Sequence, residues 1–229
     1  WGTLGVITEV TLRLYALPSA DRTFAIALKG SEREIASLVG AIVVSPLTPY
    51  ALQLLNRPAA RSLGLGEHAV CLIRFGGNDA VVRSQVSAVS HIVRLEEEQS
   101  AVWTRLRQLD GDAHTTIRIA SMPHRFLATS ARILGDDFPA IYTCIDPHRG
   151  VLRIVVGTDG ENGGGGISTI GGSVDFHRDG IESSEVIFEK LPPEVWPAVS
   201  PSVISDGLSQ GVKQAFDPHN ILNPGILGA

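Results

Sequence analysis

Cysteine is nearly absent from this sequence, with two residues among 229, and methionine occurs only once. Cys71 and Cys144 each lie within an apolar, strand-like run, at residues 69–75 and 140–145. A single disulfide between them is compatible with the sequence, but we expect two buried free thiols in a reducing cytoplasm. The chain is long enough to bury a substantial core, in one large domain or two small ones.

Three further absences narrow the range of functions. A formal net charge of −5 leaves no basic surface of the kind that binds nucleic acids or anionic membranes. No run of 18 apolar residues occurs, so the sequence predicts no membrane-spanning helix, and it contains no signal peptide. The sequence starts at Trp1 without a methionine, so we expect a fragment of a longer protein whose missing part would carry any targeting signal.

Neither a metal site nor a phosphate loop is predicted. The seven histidines form no close ligand pair. The glycine-rich stretch 157–173 contains eight glycines, but no Lys-Ser or Lys-Thr follows it and no compact βαβ unit surrounds it. We interpret this stretch as a surface loop.

Hydrophobic periodicity predicts alternating strands and helices. The first strand follows Gly2 and Gly5, and one of its faces carries Val6, Thr8, Val10, Leu12 and Leu14. Further strand patterns lie at 22–29, 50–56, 68–75, 114–120, 140–146, 151–156 and 184–188. Helix patterns lie at 31–43, 78–93, 96–109, 123–134 and 200–216, the first opened by a capping box from Ser31 to Glu34.

The order of these elements repeats once along the chain. Each half reads as a βαββα unit, and residues 96–109 read as a charged helical connector between the halves. The fold class is therefore predicted as α+β, with two ferredoxin-like halves that share one antiparallel sheet. We expect the helices to cover one face of that sheet.

Both ends of the chain resemble a known flavoprotein family. Residues 1–14, WGTLGVITEVTLRL, resemble the closing segment of the FAD-binding domain in the p-cresol methylhydroxylase / vanillyl-alcohol oxidase family. Residues 215–225, AFDPHNILNPG, resemble the family's C-terminal signature F-D-P-x-x-I-L/F-N-P-G. The two motifs are about 200 residues apart and occur in the family's order.

This resemblance implies FAD as the cofactor and a division into domains. Residues 1–18 would close the FAD-binding domain of the p-cresol methylhydroxylase type, 19–198 would form the ferredoxin-like cap, or substrate, domain, and 199–229 would return as a helix and tail to the FAD-binding domain. In the family the G-x-x-G-V-I/V-T stretch runs along the dinucleotide. The implied cofactor-binding residues are Gly2, Thr3, Leu4, Gly5, Val6, Ile7 and Asn223.

Three arginines are candidates for binding a substrate carboxylate. Arg74, Arg118 and Arg153 each lie in mid-strand between apolar neighbours. If helices cover one sheet face, these side chains point to the other, which in the family faces the flavin. A guanidinium there would bind a carboxylate bidentately. The alternative is that each arginine lies on a solvated sheet face or in a domain interface.

The resemblance is greatest to the FAD-binding subunit of glycolate oxidase. The His-x-Gly-Asp-Gly-Asn-x-His metal motif of the hydroxy-acid dehydrogenase branch is absent, and residues 72–77 and 116–119 also resemble the glycolate oxidase subunit. This implies an oxidoreductase that acts on a small 2-hydroxy acid such as glycolate. It also implies a hetero-complex with a catalytic flavoprotein and an iron–sulfur subunit, cytoplasmic or peripheral at the inner membrane face.

A second hypothesis from a different class stays open. The family's N-terminal pyrophosphate loops are absent from these residues, so the chain is alternatively a structural or interaction module of a flavoprotein complex that does not bind FAD by itself.

Overall fold

The computed structural model of the chain describes residues 4–14, 16–111, 113–124, 133–134, 141–156, 185–192 and 207–222. The chain divides into two compact units. The smaller unit combines Trp1–Ala16 with Leu191–Ala229, and the larger unit is Leu17–Lys190.

One antiparallel sheet forms the framework of the larger unit. Its strands are β1 (Ala20–Leu28), β2 (Ala51–Leu55), β3 (Ala69–Gly77), β4 (Glu96–Glu98), β5 (Thr115–Ala120), β6 (Ile141–Asp146), β7 (Val151–Val156) and β8 (Glu185–Lys190). Their spatial order is β4-β1-β3-β2-β6-β7-β5-β8. Read inward from the two edges, the halves have the same order, and they meet where β2 pairs with β6. The predicted antiparallel α+β sheet, built from a doubled unit, is confirmed.

The helices are α1 (Glu32–Val44), α2 (Arg57–Ser62), α3 (Asp79–Ser90) and α4 (Ala101–Gln108) in the larger unit, and α5 (Gly207–Phe216) in the smaller one. Side chains cap the first turns of α1, α2 and α3. The predicted capping box of α1 is present, since the Glu34 N–H donates to Ser31 Oγ and the Ser31 N–H donates to Glu34 Oε2 at 2.7 Å. The described helices include none with the length and apolar character needed to cross a membrane.

Helices pack on both faces of the sheet, so the prediction that they cover one face is wrong. On the first face, α1 and α3 pack against alternate strand residues such as Ile26, Leu54 and Ile73. On the second face, α2 and α4 pack against the intervening residues, such as Leu55 and Leu72. Period-2 alternation fixes the two faces, but it does not reveal that a short extra helix will cover the second one.

Two local elements differ from the prediction. Helix α2 was not predicted, although the Asn56 side chain accepts the Ala59 N–H at 3.1 Å and Pro58 lies in the first turn. The strand–Asn–x–Pro pattern is a helix-start signal. The start of the expected helical connector, Glu96–Glu98, instead pairs with β1 as the edge strand β4, where Glu97 binds Arg22 through two charged hydrogen bonds of 2.8 and 2.6 Å.

The predicted strand over Val6–Leu14 is absent. This segment has no ladder, and its apolar side chains are exposed, with 74% for Val6 and 86% for Leu14. A strand needs a partner for its backbone groups, and the described part of the smaller unit contains no other strand.

Three predicted elements lie wholly or partly outside the described residues. They are the glycine-rich stretch 157–173, most of the helix at 123–134 and the start of the helix at 200–216.

Both cysteines are free, as expected, but Cys71 alone is buried and Cys144 is partly exposed. Cys71 belongs to the core of the first face, whereas Cys144 packs against the core of the second. Strand β2 lies between their strands, with Leu54 opposite Cys71 and Leu55 opposite Cys144. Cys71 and Cys144 are therefore separated by two strand spacings of roughly 4.8 Å each, and their side chains point to opposite faces of the sheet. This geometry excludes a disulfide between them.

Candidate functional site

The three candidate arginines lie on the second face of the sheet. Arg74, Arg118 and Arg153 are each flanked along the strand by residues of the first core, so each side chain points the other way. Arg118 and Arg153 are direct cross-strand partners on β5 and β7. Like charges placed opposite each other destabilise a sheet unless anions neutralise them. Whether each arginine can bind a substrate carboxylate therefore depends on the protein carboxylates that already surround its guanidinium.

Arg74 forms a bidentate ion pair within the sheet. Its Nε and Nη2 donate to the two carboxylate oxygens of Asp21 at 2.9 and 2.5 Å. The side-chain hydrogen bond from Arg74 is the main reason why the pKa of Asp21 is lowered. Since Asp21 already occupies the fork of donors that a carboxylate ligand needs, Arg74 is a structural link between β1 and β3.

Arg153 is held between two carboxylates. Its Nε donates to Glu189 at 2.9 Å, and its Nη2 donates to Asp110 at 2.6 Å. Burial opposes the charge of Arg153, but Glu189 and Asp110 more than offset it, so the pKa of Arg153 is raised. These contacts fix the guanidinium between β8 and the residues that follow α4.

Arg118 retains unused hydrogen-bond donors. Its ion-pair partner among the described residues is Glu189, with 3.4 Å between Arg118 Nε and Glu189 Oε1. The Nε atom is nevertheless buried without a hydrogen bond. An unsatisfied buried donor on a charged group is costly. Because Glu189 serves Arg153 at the same time, the Arg118 guanidinium is the one of the three that is placed to take a further anion.

A pocket of about 400 Å³ opens beside Arg118 on this face. Its floor comes from β2, β6, β7 and β5, one wall comes from the end of α4, and the rim includes the turn between β6 and β7. The lining residues are Gln53, Leu106, Arg107, Leu109, Arg118, Cys144, Asp146, Arg149, Val151, Arg153 and Val155. The structure thus brings Arg118 and Arg153 together in one site and leaves Arg74 outside it.

Cys144 is not a nucleophile of this pocket. Burial raises the pKa of its thiol to about 12, and Arg153 only partly counteracts the effect. Because the thiolate is the reactive form of cysteine, a thiol with so high a pKa stays neutral and unreactive. Cys144 therefore contributes packing, and the arginines supply the positive charge and the hydrogen-bond donors of the site.

Two pocket residues, Arg107 and Arg149, were not identified from the sequence. Arg107 lies in the last turn of α4, and Arg149 lies in the turn between β6 and β7, where its backbone N–H donates to Asp146 Oδ1 at 3.0 Å. The short gap between the strand patterns at 140–146 and 151–156 is enough to place Arg149 at one end of the sheet. However, only the packing of α4 on the second face brings Arg107 to the same pocket.

The C-terminal motif forms a compact hydrogen-bonded turn within the smaller unit. Asp217 Oδ1 and Oδ2 accept the backbone N–H groups of Ile221 and Leu222 at 2.9 and 2.8 Å. Lys213 Nζ donates to Asp217 Oδ2 at 2.6 Å and to the Leu222 carbonyl at 2.8 Å. The hydrogen bond from Lys213, aided by the two backbone donors, lowers the pKa of Asp217 to about 2. Asn220 takes the left-handed conformation that closes the turn, with φ of 49°.

This segment is also the one that matches a known family. Residues 207–227 match the model of the FAD linked oxidases, C-terminal domain. The solved structure of p-cresol methylhydroxylase with substrate bound has a similar fold, with a TM-score of 0.58 and 15% identity over 92% of this chain and 53% of that chain. The family match over these 21 residues supports FAD as the cofactor. The likeness to p-cresol methylhydroxylase shows a similar fold.

Two other comparisons complete these findings. Alkyldihydroxyacetonephosphate synthase matches with a TM-score of 0.47 and 14% identity, over 97% of this chain and 47% of that chain. A search of curated proteins gave no match. The chain therefore spans about half the length of the solved structures that it matches.

The cofactor-binding residues that the family resemblance implies lie in the smaller unit. Leu4, Val6 and Ile7 are exposed in an extended segment, at 42%, 74% and 81%. A Cβ added to Gly5 would meet no atom within 4 Å. Gly2, Thr3 and Asn223 lie outside the described residues.

Proposed function

We propose that this chain is part of an FAD-dependent oxidoreductase that acts on the CH–OH group of a small 2-hydroxy acid such as glycolate. The C-terminal match and the fold support the flavin-dependent class. The substrate class rests on one observation, the guanidinium of Arg118 in a pocket lined by three further arginines, with a single ion pair of 3.4 Å to the described residues.

Oxidation of a 2-hydroxy acid requires a hydride acceptor, a base for the hydroxyl proton and a cation for the carboxylate. FAD, when bound, supplies the hydride acceptor. Arg118 binds the substrate carboxylate through the donors that Glu189 leaves unused, and Glu189 keeps the guanidinium oriented from 3.4 Å. Holding the carboxylate fixes the position of the adjacent C2–H bond, which is how a binding group promotes transfer from that carbon.

The described cofactor residues suit contact with a dinucleotide. Leu4, Gly5, Val6 and Ile7 form an exposed, extended backbone, and no side chain of the described residues fills the space next to Gly5. A backbone of this kind presents its N–H and C=O groups to a ligand at close range, most closely at glycine. The hetero-complex with a catalytic flavoprotein and an iron–sulfur subunit belongs to this proposal as well, on the strength of the sequence resemblance.

Flavin content and its response to substrate test the proposed function. The complete protein should show the visible absorbance of oxidised flavin, and glycolate or another small 2-hydroxy acid should bleach it under anaerobic conditions. Residues 1–229 alone, without the family's pyrophosphate loops, should purify colourless. A colourless complete protein that assembles with flavoprotein partners would favour the structural module instead. A yellow protein that no 2-hydroxy acid bleaches would keep the cofactor and refute the substrate class.

A further inference from the structure

The lining of the pocket carries a net positive charge. Four guanidinium groups line it, from Arg107, Arg118, Arg149 and Arg153, and Asp146 is the single carboxylate in the lining. Arg153 is neutralised by Asp110 and Glu189, which approach it to 2.6 and 2.9 Å. With Asp146 also counted, the four arginines exceed these carboxylates by one positive charge, in a chain whose formal net charge is −5.

These arginines occupy two levels of the pocket. Arg118 is half-buried on the floor, whereas Arg107 and Arg149 are exposed at the rim. Arg107 Nη2 donates a 3.4 Å hydrogen bond to Thr104 Oγ1, and no carboxylate among the described residues pairs with Arg107 or Arg149. The rim therefore has two cationic groups ready for an anion, separate from the floor group that the carboxylate would occupy.

Asp146 offsets one of the positive charges of the lining. One of its carboxylate oxygens accepts the backbone N–H of Arg149 at 3.0 Å, and this hydrogen bond ties the carboxylate to the turn between β6 and β7. The side chain of Arg149 extends from the same turn. The wall between floor and rim is apolar, with Leu106 and Leu109 on the α4 side and Val151 on the β7 side. Such a wall suits the short carbon chain that joins two anionic ends.

We infer that the pocket selects substrates with two anionic groups, a 2-hydroxy carboxylate on Arg118 and a second carboxylate or phosphate at Arg107 and Arg149. This inference rests on the proposed function for the floor contact and adds the rim contact to it. Exposed ion pairs are individually weak, so each rim arginine should strengthen binding up to about fivefold, and the pair about tenfold, at low salt.

Three probes that differ in one group test the selection. Lactate, malate and 3-phosphoglycerate share a 2-hydroxy carboxylate and differ in carrying a methyl, a carboxylate or a phosphate beyond it. Dissociation constants are measured with the flavin-loaded protein by calorimetry at low salt and again at about 0.5 M salt, where screening shortens the reach of exposed charges to a few ångströms. The readout is the ratio of the dissociation constant of lactate to that of each dianion.

The inference predicts a ratio of about ten for at least one dianion at low salt, falling at high salt. Malate and 3-phosphoglycerate then show whether the second group is a carboxylate or a phosphate. The double variant R107M/R149M should bring the ratio close to one. The control R94M removes the same kind of charge beside β4, at the opposite edge of the sheet, and should keep the wild-type ratio.

The experiment gives different results if the two-anion inference is wrong and if the proposed function is wrong. Equal affinity for all three acids in the wild type, with Arg118→Met weakening all of them, would overturn the two-anion inference and leave the proposed function standing. A ratio that survives R107M/R149M would also overturn the inference. Dianion binding that depends on the rim arginines but not on Arg118 would keep the rim site and refute the floor contact. No binding of any of the three acids would refute both.

Discussion

The side chain of Asn56 accepts the backbone N–H of Thr143 at 3.0 Å and so connects the two halves of the sheet. Its Nδ2 donates to the Ile141 carbonyl at 2.9 Å, and its backbone N–H donates to the Thr143 carbonyl at 3.1 Å. The ladder between β2 and β6 contains just two residue pairs, Leu54 with Ile145 and Leu55 with Cys144. One buried asparagine therefore supplies much of the polar contact at the seam beside the pocket.

Replacing Asn56 by alanine should destabilise the protein by about 2–4 kcal/mol, because a helix cap is lost and buried backbone groups of β6 lose their partners. Asn78 provides a matched control. It caps α3 in the same way, through the Val81 N–H at 2.9 Å, but makes no contact between the halves. Asn78→Ala should cost about 1 kcal/mol. Urea unfolding of both variants makes the comparison, and equal losses would show that Asn56 is no more than a cap.

Gly150 should tolerate no side chain. It adopts a left-handed conformation with φ of 62° in the turn between β6 and β7, and an added Cβ would overlap the carbonyl oxygen of Ser121. Gly150→Ala should therefore lower stability by at least about 2 kcal/mol. In contrast, a Cβ on Gly40 in α1 meets nothing within 4 Å, so Gly40→Ala should raise stability by about 0.5–1 kcal/mol. Thermal melts that shift both variants in the same direction would contradict this account.

The Asp217 turn should weaken in acid. Lys213 and the backbone donors lower the folded-state pKa of Asp217 to about 2, below the ordinary value of 3.8. A lowered carboxyl pKa means that the stabilisation is complete above pH about 4 and is lost as the pH falls toward about 2. Hydrogen exchange of the Ile221 and Leu222 amides, corrected for intrinsic rates, should show protection that falls across this window. Asp217→Asn should remove the dependence, and an unchanged pH profile in that variant would assign it to another group.

Local signals in the sequence predicted most of the larger unit. Period-2 alternation and the Ser31 capping box gave the strands and α1, and repetition of the element order gave the doubled sheet. The sequence did not predict what depends on long-range packing. The six residues of α2 are too few for a periodic pattern, although Asn56 and Pro58 mark its start.

The same limit applies to the candidate site. Mid-strand position placed Arg74, Arg118 and Arg153 on one face, but their ion pairs with Asp21, Asp110 and Glu189 join residues 36 to 71 positions apart. No local pattern reveals such partners. Conversely, residues 6–14 have the alternating pattern of a strand but do not form one. A strand needs a neighbouring strand for its backbone hydrogen bonds, and the sequence pattern does not supply it.

The most direct test of the central claim is the Michaelis constant of Arg118→Met for a small 2-hydroxy acid, measured beside Arg74→Met. Methionine keeps much of the aliphatic bulk and removes the charge and five donors. A charged hydrogen bond is worth about 1.5–3 kcal/mol, and Arg118 is partly exposed, so we expect the lower end and about a tenfold rise in KM. Arg74→Met should lower the melting temperature, because Asp21 loses its partner, while KM stays at the wild-type value. A wild-type KM in Arg118→Met, or a raised KM in Arg74→Met alone, would contradict the assignment of the carboxylate site to Arg118.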